Sequence, residues 1–287
     1  LSQYSAQDEL IAANRSDVQS AYASGLSPSM IDRLSINHAR ISGLIEMIRR
    51  VRTLADPVGS IDGLKLCASG IRVGKMKVPL GVVLMIYESR PSATLESACL
   101  CIKSANAVIL KGGKEAAETN GVLVSLIKRA LSDADLPDQA VMFIERQEHE
   151  YLYELLRLKD FISVVIPRGG EGLIESIMER SRIPVLCHAK GVCHIYVCSD
   201  ADLDSALNII INSKVQRAGV CNAAECILVD ESIATKFIPT LVSLLNSHGV
   251  LVRACNKSMT HLKGEAPDKV QRAASGDFGR EFLSLGS

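Results

Sequence analysis

The residue best suited to covalent chemistry is Cys221, set in QRAGVCNAAE (216–225). A nucleophilic thiol needs exposure, a stabilised thiolate and donors for an oxyanion. Ala218 and Gly219 leave room for a substrate to reach the sulfur, and Lys214 and Arg217 bring positive charge close in sequence. Asn222, Ala223 and Ala224 can present backbone amides. The competing reading makes Cys221 a packing residue, because cysteine often serves as a small apolar side chain and this chain has nine. Cys226, inside the apolar run CILV, reads as core.

Two glycine pairs form a second constellation. Gly112–Gly113 follows AVILK, and Gly169–Gly170 follows VVIPR. Glycine lets backbone amides approach a phosphate, and a helix N-terminus beyond it adds partial positive charge. Lys111, Lys114 and Arg168 flank these turns and can neutralise phosphate. Neither turn matches GxGxxG or the Walker pattern, so plain chain reversal competes at each. Together they predict a dinucleotide or phosphate site. YESRPSAT (87–94) follows another apolar run, and its Ser89 and Arg90 are placed to meet an anionic ligand or to lie in a solvated loop. CHAKGVCHIYVC (187–198) holds three Cys and two His. It has no CxxC, and its second half alternates as a strand does, so packing is expected there and no metal.

Positioning these residues requires a framework. The first 55 residues carry apolar positions at helical spacing, such as Ile41, Leu44, Ile45 and Ile48. From residue 78 short apolar runs alternate with amphipathic stretches: VPLGVVLMIY, AVILK, AVMFIE, SVVIP and PVLCH as strands, with helices between them. That alternation predicts an α/β fold with a doubly wound parallel sheet covered on both faces. HIYVC, a helix opening at DADLDSAL, ECILVD and a helix over 232–247 follow, and the tail from about 254 is more polar. A domain boundary is placed near 190, giving domains 1–190 and 191–287.

Bulk properties exclude other classes. Lys+Arg 32 against Asp+Glu 32 leaves no global field for nucleic acid or acidic membranes. Six Tyr, five Phe and no Trp offer no stacking platform for single strands. No apolar run approaches the roughly 20 residues a membrane helix needs. The N-terminal LSQYSAQDEL has no apolar signal core, and Leu1 is not an initiator, so a trimmed end is expected. An odd, scattered cysteine count fits a reducing compartment, and a cytoplasmic location is expected.

In combination, VPLGVVLMIYESRPSAT, SANAVILKGGKEAAETN, VVIPRGGEGLI, CHIYV and QRAGVCNAAE resemble, in order, the γ-glutamyl phosphate reductase family of the aldehyde dehydrogenase superfamily. The likeness runs from about residue 10 to 285. It implies a Rossmann-type NADP-binding domain followed by a partial α/β catalytic domain. It also implies NADPH-dependent reduction of L-glutamyl 5-phosphate to the 5-semialdehyde, with release of phosphate, in proline biosynthesis. By resemblance, Cys221 is the thioester-forming nucleophile, with its own amide and Asn222 beside it. Arg90 takes the position of an oxyanion Asn, or else grips the phosphate or the substrate carboxylate. Lys111 matches a ribose-binding lysine, Gly169–Gly170 a second coenzyme loop and Glu281 a second ribose-binding residue. His188 falls where aldehyde-oxidising relatives carry a general-base Glu, and with Ser89 and Arg90 it is expected at the substrate. A homo-oligomer is expected for the complete chain. Lys190 and Ala218 depart from the family pattern, and the sequence ends at SLGS where the family continues, so weak turnover is expected of these 287 residues. The alternatives are a coenzyme A-acylating aldehyde dehydrogenase and a non-catalytic NADP-binding fragment.

Overall fold

The computed structural model describes residues 4–146, 148–187, 191–262 and 269–285. The chain divides into two compact units, Leu1–Cys187 and His188–Ser287.

The first unit opens with the helices α1 (Tyr4–Ala23), α2 (Pro28–Leu34) and α3 (His38–Thr53). Asn37 caps α3, its side chain accepting the Arg40 N–H. Next comes an antiparallel hairpin, β1 (Ile61–Leu66) and β2 (Arg72–Met76), exposed along both strands. Its sequence has no period-2 burial pattern because neither face is covered. Then β3 (Val82–Tyr87), α4 (Pro91–Lys103), β4 (Ala107–Lys111), α5 (Ala117–Asp133), β5 (Val141–Phe143), α6 (His149–Leu155), β6 (Val164–Arg168) and α7 (Glu171–Arg180) alternate as predicted.

The four strands form one parallel sheet in the order β5-β4-β3-β6. Both faces of β3 are buried. Val83, Met85 and Tyr87 pack with Ala98, Val124 and Ile127 on one side, and Leu84 and Ile86 pack with Leu152, Leu156 and Ile177 on the other. Burial on two faces is why these strands read as unbroken apolar runs. The expected strand PVLCH is reduced to a single bridge, Val185 to Val165. Pro184 has no N–H to give a ladder, so only its carbonyl joins, accepting the Val165 N–H at 2.9 Å.

The N-terminus of α5 has no side-chain cap of its own. Asp17 of α1 supplies one, accepting the Thr119 N–H at 2.8 Å, the Thr119 hydroxyl at 2.6 Å and the Glu118 N–H at 3.3 Å. Burial raises the Asp17 carboxyl above its usual range while these bonds pull it back. Asn14 joins the same site, donating to Leu34 O and Thr119 Oγ1. The N-terminal helices thus fix the segment that follows the first glycine turn.

In the second unit β7 (Cys193–Val197) pairs in parallel with β8 (Ala224–Val229). Between them runs α8 (Leu203–Val215), capped by Asp202, and after them α9 (Glu231–Ser247), capped by Asp230. Val197, Ile210, Phe237, Leu241 and Leu245 form the core. The polar tail contains β9 (Val252–Ala254), the short α10 (Asn256–Thr260) and β10 (Val270–Arg272), with β9 and β10 parallel. No helix among the described residues is long and apolar enough to cross a membrane.

Candidate active site

In the first unit the chain runs from β3 outward to β4 and β5, then returns to the other side of β3 as β6. The direction of winding therefore reverses between β3 and β6, and ligands of open α/β sheets bind outside the carboxyl ends of strands at such a point. Register places Tyr87 opposite Arg168 and Ile86 opposite Lys111. Ser89, Arg90 and both glycine pairs consequently collect at one edge of the sheet.

That edge is held by two carboxylates. Glu88 accepts the Gly170 N–H at 2.8 Å, and its own N–H donates to Arg168 O at 3.2 Å. Glu115 accepts the Ser89 hydroxyl at 2.7 Å and also the Ser89 N–H. Ser89 is 3 % exposed and sits at φ 40°, a left-handed conformation unfavourable to a non-glycine residue. Such strain persists where neighbours over-determine it, often at functional sites. Glu115 does so here. The Ser89 hydroxyl, expected at a substrate, donates to Glu115 within the turn.

Gly112, Gly113 and Gly169 stand where a Cβ would be crowded, whereas one on Gly170 would meet only Glu88 Oε2 at 3.8 Å. Gly113 and Gly170 have ordinary φ values of −70° and −67°. A Cβ on Gly169 would lie 2.6 Å from Leu173 Cδ2 and 2.7 Å from Glu88 Oε2. One on Gly113 would strike the Glu115 carboxylate, and one on Gly112 would strike Asn120 Nδ2. Asn120 cannot give way. Its Oδ1 accepts the Thr94 hydroxyl at 2.7 Å, and Thr94 in turn accepts from the Tyr87 hydroxyl at 2.6 Å. Burial pushes the Tyr87 phenol up to about 12, which keeps it a donor.

Four cationic side chains lie at this edge. Lys111 is buried, and its ammonium donates to Gly112 O at 3.2 Å. Burial lowers its pKa below the ordinary lysine value, while Glu115 and Glu148 oppose the shift. Lys114 and Arg168 are exposed, and Arg90 is half-buried at the N-terminus of α4.

Cys221 lies in the second unit, on the loop between α8 and β8, and its residue is exposed. The Ala223 N–H donates to Val220 O at 3.1 Å, which removes it from the expected oxyanion donors. The N–H groups of Cys221 and Asn222 make no hydrogen bond among the described residues. The Cys221 carbonyl accepts the Cys193 thiol at 3.4 Å. A Cβ on Gly191 would lie 3.0 Å from that carbonyl and 3.3 Å from Glu281 Oε1, so Gly191 leaves a narrow gap between them. Lys214 forms a buried ion pair with Glu225 at 3.2 Å.

The sequence-derived residues thus fall into two sets. Lys111, Gly112, Gly113, Lys114, Arg168, Gly169, Gly170, Ser89 and Arg90 share the switch point of the first unit. Cys221, Asn222 and Glu281 gather in the second. His188 lies outside the described residues. Cys67 and Cys198 are exposed rather than packed. Among the described residues no group of three or more His, Cys, Asp or Glu is placed to hold a metal. The turn-holding acids Glu88 and Glu115 escaped the sequence reading, although Glu88 directly follows an apolar strand, a position where an acid is informative.

Residues 33–252 match the aldehyde dehydrogenase family. The γ-glutamyl phosphate reductase of Aquifex aeolicus is 44 % identical over 283 residues, covering 97 % of this chain and 65 % of that protein. The one from Thermodesulfovibrio yellowstonii is 44 % identical over 279 residues, covering 97 % and 66 %. The crystal structure of the Thermotoga maritima γ-glutamyl phosphate reductase superposes with a TM-score of 0.87 at 41 % identity, covering 97 % of this chain and 66 % of that one. The chain spans about two thirds of the length of these relatives. Fold, motif order and these matches together establish that the chain belongs to the aldehyde dehydrogenase family.

Proposed function

We propose that these residues form the coenzyme domain and the nucleophile-bearing part of the catalytic domain of an NADPH-dependent γ-glutamyl phosphate reductase. The observation that carries this reading is an exposed cysteine with two amides that have no partner among the described residues, on a chain whose sheet gathers glycines and cations at its switch point. The glycine turns suit a dinucleotide because they follow β4 and β6 at the carboxyl ends of the sheet, where side-chain-free backbone can approach a phosphate. Lys111 and Lys114 would hold its ribose and 2′-phosphate, Gly169–Gly170 the second coenzyme loop and Glu281 a ribose hydroxyl.

In the forward direction the Cys221 thiolate attacks the acyl phosphate carbonyl. A C–S bond forms, the C–O bond to phosphate breaks, and phosphate leaves with the electron pair. The amides of Cys221 and Asn222 are the donors available to the oxyanion, with Arg90 as a further one or as the grip on phosphate. NADPH, when bound, would supply a hydride, and the Cys221 thioester would accept it to become a thiohemiacetal. Collapse breaks the C–S bond, releases the aldehyde and restores the thiolate.

The reaction is tested in reverse with a chain of the relatives' full length, glutamate 5-semialdehyde and NADP⁺. Phosphate-dependent NADPH formation is expected. Dependence on coenzyme A instead of phosphate would overturn the acyl-phosphate reading.

Glu88 places a negative charge on the amide that a coenzyme phosphate would use. Glu88→Gln keeps an acceptor there and removes the charge. Tighter NADPH binding is expected, by roughly 5-fold or about 1 kcal/mol, the size of a charge effect at a helix N-terminus. Fluorescence titration measures it, and unchanged or weaker binding would remove Glu88 as a competitor.

A further inference from the structure

Glu225 is the second residue of β8, four positions beyond Cys221, and its side chain is 1 % exposed. One carboxylate oxygen meets Lys214 Nζ at 3.2 Å, and the Lys214 side chain is 7 % exposed. The other accepts the Leu283 N–H at 3.0 Å. Lys214 belongs to the last turn of α8, so the ion pair closes both ends of the loop that carries Cys221. Leu283 lies two residues past Glu281 and sits at φ 53°, a strained conformation for leucine. The same segment reaches the loop again, since a Cβ on Gly219 would lie 3.7 Å from Leu283 O.

One buried carboxylate therefore ties together the end of α8, the start of β8 and the segment bearing Glu281. Replacing such a pair by apolar residues often leaves stability unchanged or raised. Stability alone thus does not call for two desolvated charges behind an exposed thiol. Their geometry fixes the loop at both ends and in register with Glu281.

We infer that Lys214 and Glu225 are positioning residues, which hold the Cys221 loop and the Glu281 segment as a single rigid unit for thioester formation. This rests on the reading of Cys221 as the acyl carrier. A nucleophile displaced by about 1 Å can lose on the order of 100-fold in rate.

The test uses three variants in a chain of the relatives' full length: Glu225→Gln, Lys214→Arg and the apolar double variant Lys214→Met with Glu225→Leu. Three quantities are read: thermal midpoint, iodoacetamide alkylation of Cys221, and Cys221 acylation by glutamate 5-semialdehyde with NADP⁺. The double variant is expected to melt close to the parent and to alkylate within about 3-fold of it. Its acylation is expected to fall on the order of 100-fold. Lys214→Arg, which keeps the charge, should recover most of the rate. Parent-like acylation in the double variant would overturn the inference, as would a loss matched by equal loss of alkylation. Failure of the parent itself to acylate Cys221 would instead overturn the proposed function, since alkylation needs no substrate.

Discussion

Cys221→Ala is expected to lower phosphate-dependent turnover by about 10⁴-fold or more, while NADPH binding stays within about 2-fold of the parent. The size follows from the chemistry. Without the thiolate no thioester forms, so the hydride acceptor never exists, and the remaining groups can only bind. Cys221→Ser should be nearly as inactive, because a serine hydroxyl is a poor nucleophile without an adjacent base. Initial-rate assays and coenzyme titration of the same preparations check both parts. Substantial turnover in the alanine variant would remove Cys221 from the mechanism.

Lys111→Met should weaken NADPH binding by roughly 10- to 100-fold, corresponding to loss of one charge-assisted contact worth about 1.5–3 kcal/mol. Methionine matches the lysine stem in volume, so the buried site stays filled. The pH dependence is the more specific signature. Burial lowers the Lys111 pKa below its ordinary value, so the ammonium loses its proton at a lower pH than a free lysine would. Binding of an anion favours the protonated form. Affinity is therefore expected to be flat near neutrality and to decline as pH rises through the depressed pKa, beginning below 10.5. Lys111→Met should remove that alkaline limb. Titrations from pH 7 upward measure it, and an identical limb in the variant would assign it to another group.

The sheet was legible because its strands are buried on both faces, so β3 and β4 appear as uninterrupted apolar runs and the intervening helices keep their amphipathic period. The hairpin over 61–76 left no trace of that kind. Its strands are exposed on both sides, with Leu66 71 % exposed, and no burial pattern is imposed on them. The glycine pairs stand at strand ends, as read from the sequence, and two carboxylates from elsewhere in the chain bond to the backbone beside them. Glu88 reaches an amide 82 residues away and Glu115 one 26 residues away, and no local sequence rule anticipates such closures. Lys214 is a similar case: it lies close to Cys221 in sequence, and the fold buries it against Glu225. The exposure of the thiol was legible from Ala218 and Gly219 beside it, which the structure leaves half-buried.

The most direct measurement is a single-turnover reaction of a chain of the relatives' full length with NADP⁺ and glutamate 5-semialdehyde in the absence of phosphate. A burst of NADPH stoichiometric with enzyme is expected, together with one glutamyl acyl group on the peptide containing Cys221, discharged when phosphate is added. NADPH formation with Cys221 unmodified, or an acyl group on any other cysteine, would contradict Cys221 as the acyl carrier.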